Sequence, residues 1–190
     1  MSKVHNIQNL KIPEDFEIYS MISSPETRNQ GYRMLVQKFK EKLYWHIRRL
    51  VLNHEDADDV LQNTFMKVVR NIDGFQQQSS LYTWIFRIAT NESLNFIKSK
   101  KSRPTMEMSD LVYFKSAGES LMDASKILDL LQVAIQNLPE KQRLVFNMRY
   151  YDEMPYHDIA EITETSEGAL KASYHHAVKK IEEFLKSKVE

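Results

Sequence analysis

Three stretches of this 190-residue chain bring side chains capable of chemistry or recognition close together. The first, Asp56-Ala-Asp-Asp59-Val-Leu-Gln62-Asn-Thr-Phe65, clusters carboxylates. Clustered carboxylates can bind a metal, but this run lacks the alternating oxygen ligands and the turn-forming glycine of a calcium loop, and an acid-rich helix start accounts for it equally well. The second runs from Phe75 to Arg103. It interleaves aromatics (Phe75, Tyr82, Trp84, Phe86) with polar and basic groups (Arg87, Asn91, Asn95, Lys98, Lys100, Lys101, Arg103). Aromatic faces beside cations suit unstacked single-stranded bases and their phosphates. The competing reading places most of these rings in the core, Trp84 and Phe86 first. The third is Tyr156-His-Asp-Ile-Ala-Glu-Ile-Thr-Glu-Thr-Ser166-Glu-Gly-Ala-Leu-Lys171. It has the parts of a helix-turn-helix: a small residue at the crossing (Ala160), apolar locks (Ile159, Leu170) and a cap for the second helix (Ser166). If Leu170, Tyr174, Ala177, Ile181 and Leu185 are buried, the opposite face shows Glu167, Lys171, Ser173, His175 and Lys179, within reach of a major groove. A plain helical hairpin with a solvated face fits the same pattern. His175 and His176 are adjacent, so on a helix they diverge and cannot chelate together. There is no glycine-rich phosphate loop. The expectation is therefore no catalytic residue, no metal site and no cofactor.

Helices must position these groups. Tyr32, Leu35, Val36, Phe39, Leu43, Ile47, Leu50 and Val51 fall at three-to-four spacing, which predicts a long amphipathic helix broken at Asn53 and His54. A second helix is predicted from about Asp56 to Asn71, with acids in its first turn where the helix dipole favours them, ending at Asp73-Gly74. A third starts near Ser80. From Lys98 to Gly118 the pattern lapses into a basic run, Pro104 and scattered polar residues, among them the apolar Met106, Met108, Leu111, Tyr113 and Phe114; this reads as a linker. Helical spacing resumes at Ile127, Leu128, Leu131, Ala134, Ile135 and Leu138. Pro139 suits the first position of the next helix, and segments over Tyr156 to Ile162 and Ser166 to Lys186 follow. The fold class is all-α: two small helical domains joined by a flexible linker, the C-terminal one containing the helix-turn-helix. The bounds are 1–30 for an N-terminal extension, 31–103, a linker 104–122, and 123–190.

Composition narrows the function classes. With 4 Gly and 5 Pro, the chain favours long helices over a many-stranded sheet. The absence of cysteine removes disulfides, thiolate metal sites and a cysteine nucleophile, and fits a reducing cytoplasm. The first ten residues lack the apolar core of a signal peptide, and no segment nears the roughly 20 apolar residues of a membrane helix. Lys plus Arg number 26 and Asp plus Glu 26. A protein that binds DNA unaided usually carries a basic excess, so a neutral total suggests DNA contact assisted by a partner.

The run Leu138-Pro139-Glu-Lys-Gln-Arg143-Leu-Val-Phe146, followed by the helix-turn-helix, resembles region four of bacterial sigma factors of the extracytoplasmic-function subfamily. Gly168-Ala-Leu-Lys-Ala-Ser-Tyr-His-His-Ala-Val-Lys180 resembles that family's recognition helix. The resemblance implies minus-thirty-five recognition by Ser166, Glu167, Lys171, Ser173, His175 and Lys179. The family usually has Gly in the turn where this chain has Glu164; a positive φ there would cost on the order of 1 kcal/mol. The Asp56 run resembles region two, whose acidic helix docks on the clamp helices of the polymerase β′ subunit. Asp56, Asp59 and Gln62 would then face core polymerase, with Leu61 and Phe65 on the core side. The Phe75 stretch corresponds to the part of region two that melts the minus-ten element, with Asn91, Asn95, Lys98, Lys101 and Arg103 on DNA. Asn91 matches a position the family commonly keeps; Asn95 stands where Asp is frequent and Lys98 where Arg is. The implied protein is not an enzyme. It binds core RNA polymerase (β′ clamp and β flap) and promoter DNA, with an anti-sigma factor as a further partner the resemblance allows. A helix-turn-helix regulator with a sensing or dimerising N-terminal half, and a helical adaptor with no DNA role, are the alternatives.

Overall fold

A computed structural model describes residues 13–101 and 124–189. The expected linker bounds 104–122 and the candidate residue Arg103 lie outside them. The N-terminal part holds α1 (Asp15–Ser23), α2 (Arg28–Val51), α3 (His54–Asn71), a 3-10 turn at Ile72–Gly74 and α4 (Leu81–Lys101). The predicted helices are present, with starts displaced by one to four residues. In α2, Leu35, Phe39, Leu43, Ile47 and Leu50 are all buried. Their spacing keeps them on one face, against α3 and α4. Leu52 ends α2 in the left-handed region at φ 67°. Asn53 then caps α3, its side chain accepting from the Asp56 N–H.

The N-terminal segment supplies α1, a helix the periodicity did not predict. A capping box between Glu14 and Glu17 starts it. Asp15 ties it to both neighbours, pairing with Lys38 Nζ at 2.7 Å and accepting from the Tyr82 N–H at 3.1 Å. Gly31 permits the close approach of α1 to α2. A Cβ there would sit 2.7 Å from Ile22 Cγ1 and 2.8 Å from the Ile22 backbone nitrogen.

The C-terminal part holds α5 (Ala124–Gln136), α6 (Glu140–Tyr150), α7 (Tyr156–Thr163) and α8 (Glu167–Val189). Pro139 occupies the N-cap of α6, one residue before the expected position. The apolar stripe expected on α5 is buried only in its second half. Ala134, Ile135 and Leu138 pack with Phe146, Ala177 and Ile181, whereas Ile127 and Leu128 stand exposed in its opening turns. Ile159, Ile162 and Leu170 lock α7 to α8. The turn between them places Glu164 at φ 52°, ψ 40°, the left-handed conformation that makes glycine the usual residue there. Glu164→Gly should therefore raise stability by up to about 1 kcal/mol, read as a higher urea midpoint at unchanged slope. A lower midpoint would mean that Glu164 is not strained.

The two parts pack together. One cluster of buried apolar side chains runs from Ile18 through α2, α3 and α4 into Leu144, Val145, Met148, Met154 and Ile159. Helix α7 lies on α4, and the loop after α6 reaches α2 through Asp152, which meets His46 and Arg49. Among the described residues there is no strand.

Candidate nucleic-acid interface

An α-helix turns about 100° per residue, so buried positions define the direction each helix offers to partners. On α4 the buried side is marked by Ile85, Phe86, Ala89 and Ser93. Opposite it, Trp84, Arg87, Asn91, Asn95 and Lys98 form one stripe. Asn91, Asn95 and Lys98 are exposed; Trp84 and Arg87 are half-buried. Lys101 closes the helix. The aromatics divide as the core reading expected for most of them. Phe86 is 1% exposed and Phe75 7%. Tyr82 packs on Phe86 with ring centroids 4.2 Å apart, and burial, with the charges of Asp152 and Asp158 adding, pushes its hydroxyl well above the usual tyrosine range. Trp84 is the ring left at the edge of the amide and cation stripe, resting on Phe75 at 5.3 Å.

On α8, Leu170, Ala177 and Ile181 are buried. Lys171, His175 and Lys179, four residues apart, are exposed along one line. Ser173 sits on the other flank and is half-buried, so the structure does not bring it into that line. Ala172, which the periodicity did not single out, is exposed beside Lys179 close to the direction opposite the core, with His176 exposed on the flank beyond it. Ser166 precedes the helix and accepts from the Ala169 N–H at 3.4 Å. Glu167 is exposed and pairs with Lys171 at 3.2 Å. The Lys171 ammonium also lies 5.5 Å from the Tyr156 ring centre, which holds the cation at the mouth of the helix-turn-helix.

Helix α3 carries a different surface. Ala57, Val60, Leu61, Thr64 and Val68 are buried. Directly opposite, Glu55, Asp59, Gln62, Met66 and Val69 are exposed in one stripe. Met66 at 42% and Val69 at 44% give it an apolar element that acid-and-amide reasoning overlooked, although their helical spacing from Asp59 and Gln62 was available. Asp56 is not part of this stripe. It lies on the flank toward α4, where its carboxylate accepts from Lys100 Nζ at 2.7 Å with the Asp56 side chain 19% exposed. The expectation that Asp56 stands on the open face is corrected accordingly: it pins the start of α3 to the end of α4.

Among the described residues no group of three His, Asp or Glu is arranged to hold a metal ion, and no helix is long and apolar enough to cross a membrane.

Comparison with known proteins identifies the family to which the two helical parts belong. Residues 35–103 match the Sigma-70 region 2 family and residues 128–181 match Sigma-70, region 4. The chain is 29% identical over 154 residues to the ECF RNA polymerase sigma-E factor of Escherichia coli (strain K12), across 75% of this chain and 80% of that protein. It is 28% identical over 164 residues to the ECF RNA polymerase sigma-E factor of Haemophilus influenzae, across 80% of this chain and 86% of the relative. Two solved structures share the fold. CnrH, in complex with the cytosolic domain of CnrY, superposes with a TM-score of 0.68 at 18% identity, covering 91% of this chain and 97% of its own. The sigma factor RpoE from Bartonella quintana, in complex with the anti-sigma factor NepR, gives 0.65 at 24%, covering 82% and 96%. With both sigma regions in order on one all-helical chain, this protein belongs to the extracytoplasmic-function (ECF) sigma factors, which bind RNA polymerase and direct it to promoters.

Proposed function

We propose that the three exposed stripes divide the work of initiation among them. The region 31–103 docks on core polymerase through α3, with Asp59 and Gln62 as the polar contacts. It engages the minus-ten element through α4, with Asn91, Asn95 and Lys98 on DNA and Lys101 and Arg103 continuing the basic run. The region 123–190 reads the minus-thirty-five element with α8, where Lys171, His175 and Lys179 meet the groove and Ser166 and Glu167 lie at its entry. The protein adds no catalytic group; polymerase makes the RNA, in the cytoplasm.

The observation that carries this reading is the contrast between stripes. On α3 the face opposite the core is acidic and apolar, suited to a protein; on α4 it carries amides and cations and on α8 imidazole and cations, with Glu167 and Glu183 paired to Lys171 and Lys179, suited to nucleic acid. A chain of zero net charge with its charge segregated in this way needs the polymerase to hold it on DNA. The test is transcription in vitro with purified core polymerase. Addition of the protein should produce run-off transcripts that depend on both promoter elements. Binding of the protein alone to a palindromic operator, with no transcript, would replace this function with that of a conventional regulator.

A further inference from the structure

Helix α1 (Asp15–Ser23) precedes the residues that match the family and belongs to none of the three exposed stripes. Ile18 and Ile22 seat it on the core. Three polar contacts, two from α1 and one from the turn after it, converge on the segment that joins α3 to α4. The Tyr19 hydroxyl donates to the Phe75 carbonyl at 3.2 Å. Asp15 accepts from the Tyr82 N–H at 3.1 Å. Arg28 donates to Asp73 Oδ1 at 3.1 Å. Helix α4 packs on α7 along the seam between the two parts, with the Thr83 hydroxyl donating to Asp158 at 3.1 Å and Arg87 3.9 Å from Glu161. Its start is left to α1.

The joining segment needs such support. Gln76, Gln77 and Gln78 are exposed, and Gln77 stands at φ 56°, in the left-handed region that residues with a side chain rarely adopt. A residue persists there only where its surroundings over-determine it. The ties lie on both sides of it. Toward α4, the Ser80 hydroxyl accepts from the Thr83 N–H at 3.0 Å as a cap. The Tyr82 N–H is among those at the start of the helix that no carbonyl of the helix reaches, and Asp15 satisfies it. Toward α3, Tyr19 fixes the Phe75 carbonyl.

The same contacts continue as a line of rings. Tyr19 meets Phe75 edge to face, with ring centres 5.2 Å apart at 81°, a favoured aromatic geometry. Phe75 in turn supports Trp84 at 5.3 Å. Trp84 is the ring at the edge of the amide and cation stripe of α4. A recognition group of this kind acts at full strength only when the layer behind it holds its angle.

We propose that α1 is a bracket for the melting site and that Tyr19 is its positioning residue. The Tyr19 hydroxyl and ring hold Phe75, and through Phe75 they hold Trp84 and the glutamine segment in the orientation that meets the opened strand. Tyr19 itself touches no DNA. The inference rests on the sigma-factor reading of α4. The alternative task for α1 is packing alone, and the two tasks separate by substitution. Tyr19→Phe keeps the ring contact and loses the anchor on the Phe75 carbonyl. Ile22→Val trims the packing of α1 beside Gly31 and removes none of the three polar contacts.

In holoenzyme, Tyr19→Phe should leave closed complexes within about twofold of the parent. Open complexes should fall by about two- to tenfold, the range that one net hydrogen bond covers, and a pre-melted bubble should restore them. Asp15→Ala should do the same, with a lower melting temperature because Lys38 also loses its partner. Ile22→Val should lower the melting temperature and leave opening unchanged. The chain has two tryptophans, so Trp45→Phe leaves Trp84 as the single reporter. In the free protein, acrylamide should quench its emission more readily in Tyr19→Phe and to the parental extent in Ile22→Val. Parental opening in both Tyr19→Phe and Asp15→Ala would overturn the bracket. So would unchanged Trp84 quenching in Tyr19→Phe, or an equal loss of opening in Ile22→Val. A parent protein that yields no transcript with core polymerase would count against the sigma function instead. Trp84 quenching contains no polymerase and still shows whether Tyr19 holds that ring.

Discussion

In holoenzyme, Asn91→Ala should leave closed-complex formation within about twofold of the parent and reduce open complexes by about ten- to a hundredfold. A well-made contact to a base is worth roughly 1–3 kcal/mol, and about 1.4 kcal/mol is a factor of ten. Asn91 stands at the middle of the exposed α4 stripe, one turn from Arg87 and Asn95, where an amide can pair with a base edge. Lys98→Ala, two turns further on, should have a smaller effect and a shallower salt dependence, as expected for one phosphate contact. The packing alters the physical account of opening. Phe75, Tyr82 and Phe86 support the core or the seam, so stacking of a freed base falls to Trp84 and the amides must offset the rest of the unstacking cost. Permanganate footprints of unpaired thymines would show the loss, and a promoter with a pre-melted bubble should partly restore both variants. Parental footprints and transcript levels in both would mean that this stripe is not the melting site and that the basic residues are a solvated end of the helix.

The parts of the fold legible in the sequence are those where one helix carries enough apolar repeats to declare its own face. Leu35 to Leu50 did so for α2, and Leu170, Ala177 and Ile181 for α8. Helix α1 escaped because its nine residues bury only Ile18 and Ile22, and two positions do not establish a period. It is held by Asp15 on Lys38 and Tyr82, by the Tyr19 hydroxyl donating to the Phe75 carbonyl at 3.2 Å, and by the close approach at Gly31, none of which a local apolar period reports. The seam escaped for the same reason. Asp152, Asp158 and Glu161 read as solvated acids until α2 is placed beside the first and α4 beneath the other two. His46 left a trace, since it shares the buried face with Leu43, Ile47 and Leu50, and a titratable group on such a face requires partners. Those partners, Asp152 and Thr90, are 106 and 44 residues away, which no periodicity reports. The correction at Asp56 has the same origin: acids in one helical turn look equivalent until Lys100 is found beside one of them.

That difference between neighbouring acids makes the polymerase-facing surface separable from the structural one. Asp59→Lys changes a side chain in the open stripe of α3, and exposed substitutions shift stability by only about 0.5 kcal/mol. If the stripe docks on a basic or mixed surface of core polymerase, reversing one charge at its centre should weaken binding by about thirtyfold, the loss of roughly 2 kcal/mol that defines an interface anchor. Met66→Ala, on the same line one turn beyond Gln62, should weaken binding without altering its salt dependence, because the contact it loses is apolar. Asp56→Lys should behave differently. It sets a second ammonium against Lys100 and removes the tie between α3 and α4, so its effect should include lower thermal stability, on the order of 1 kcal/mol for a pair whose lysine is exposed to solvent screening. Restoring opposite charges with Lys100→Glu should recover that stability and leave polymerase affinity little changed. Anisotropy titration of labelled protein with core polymerase, beside thermal melts of the same variants, separates the two effects. If Asp59→Lys and Met66→Ala both bind core polymerase like the parent, the α3 stripe is not the docking face, and the exposed Val36 and Trp45 on α2 become the surface to test.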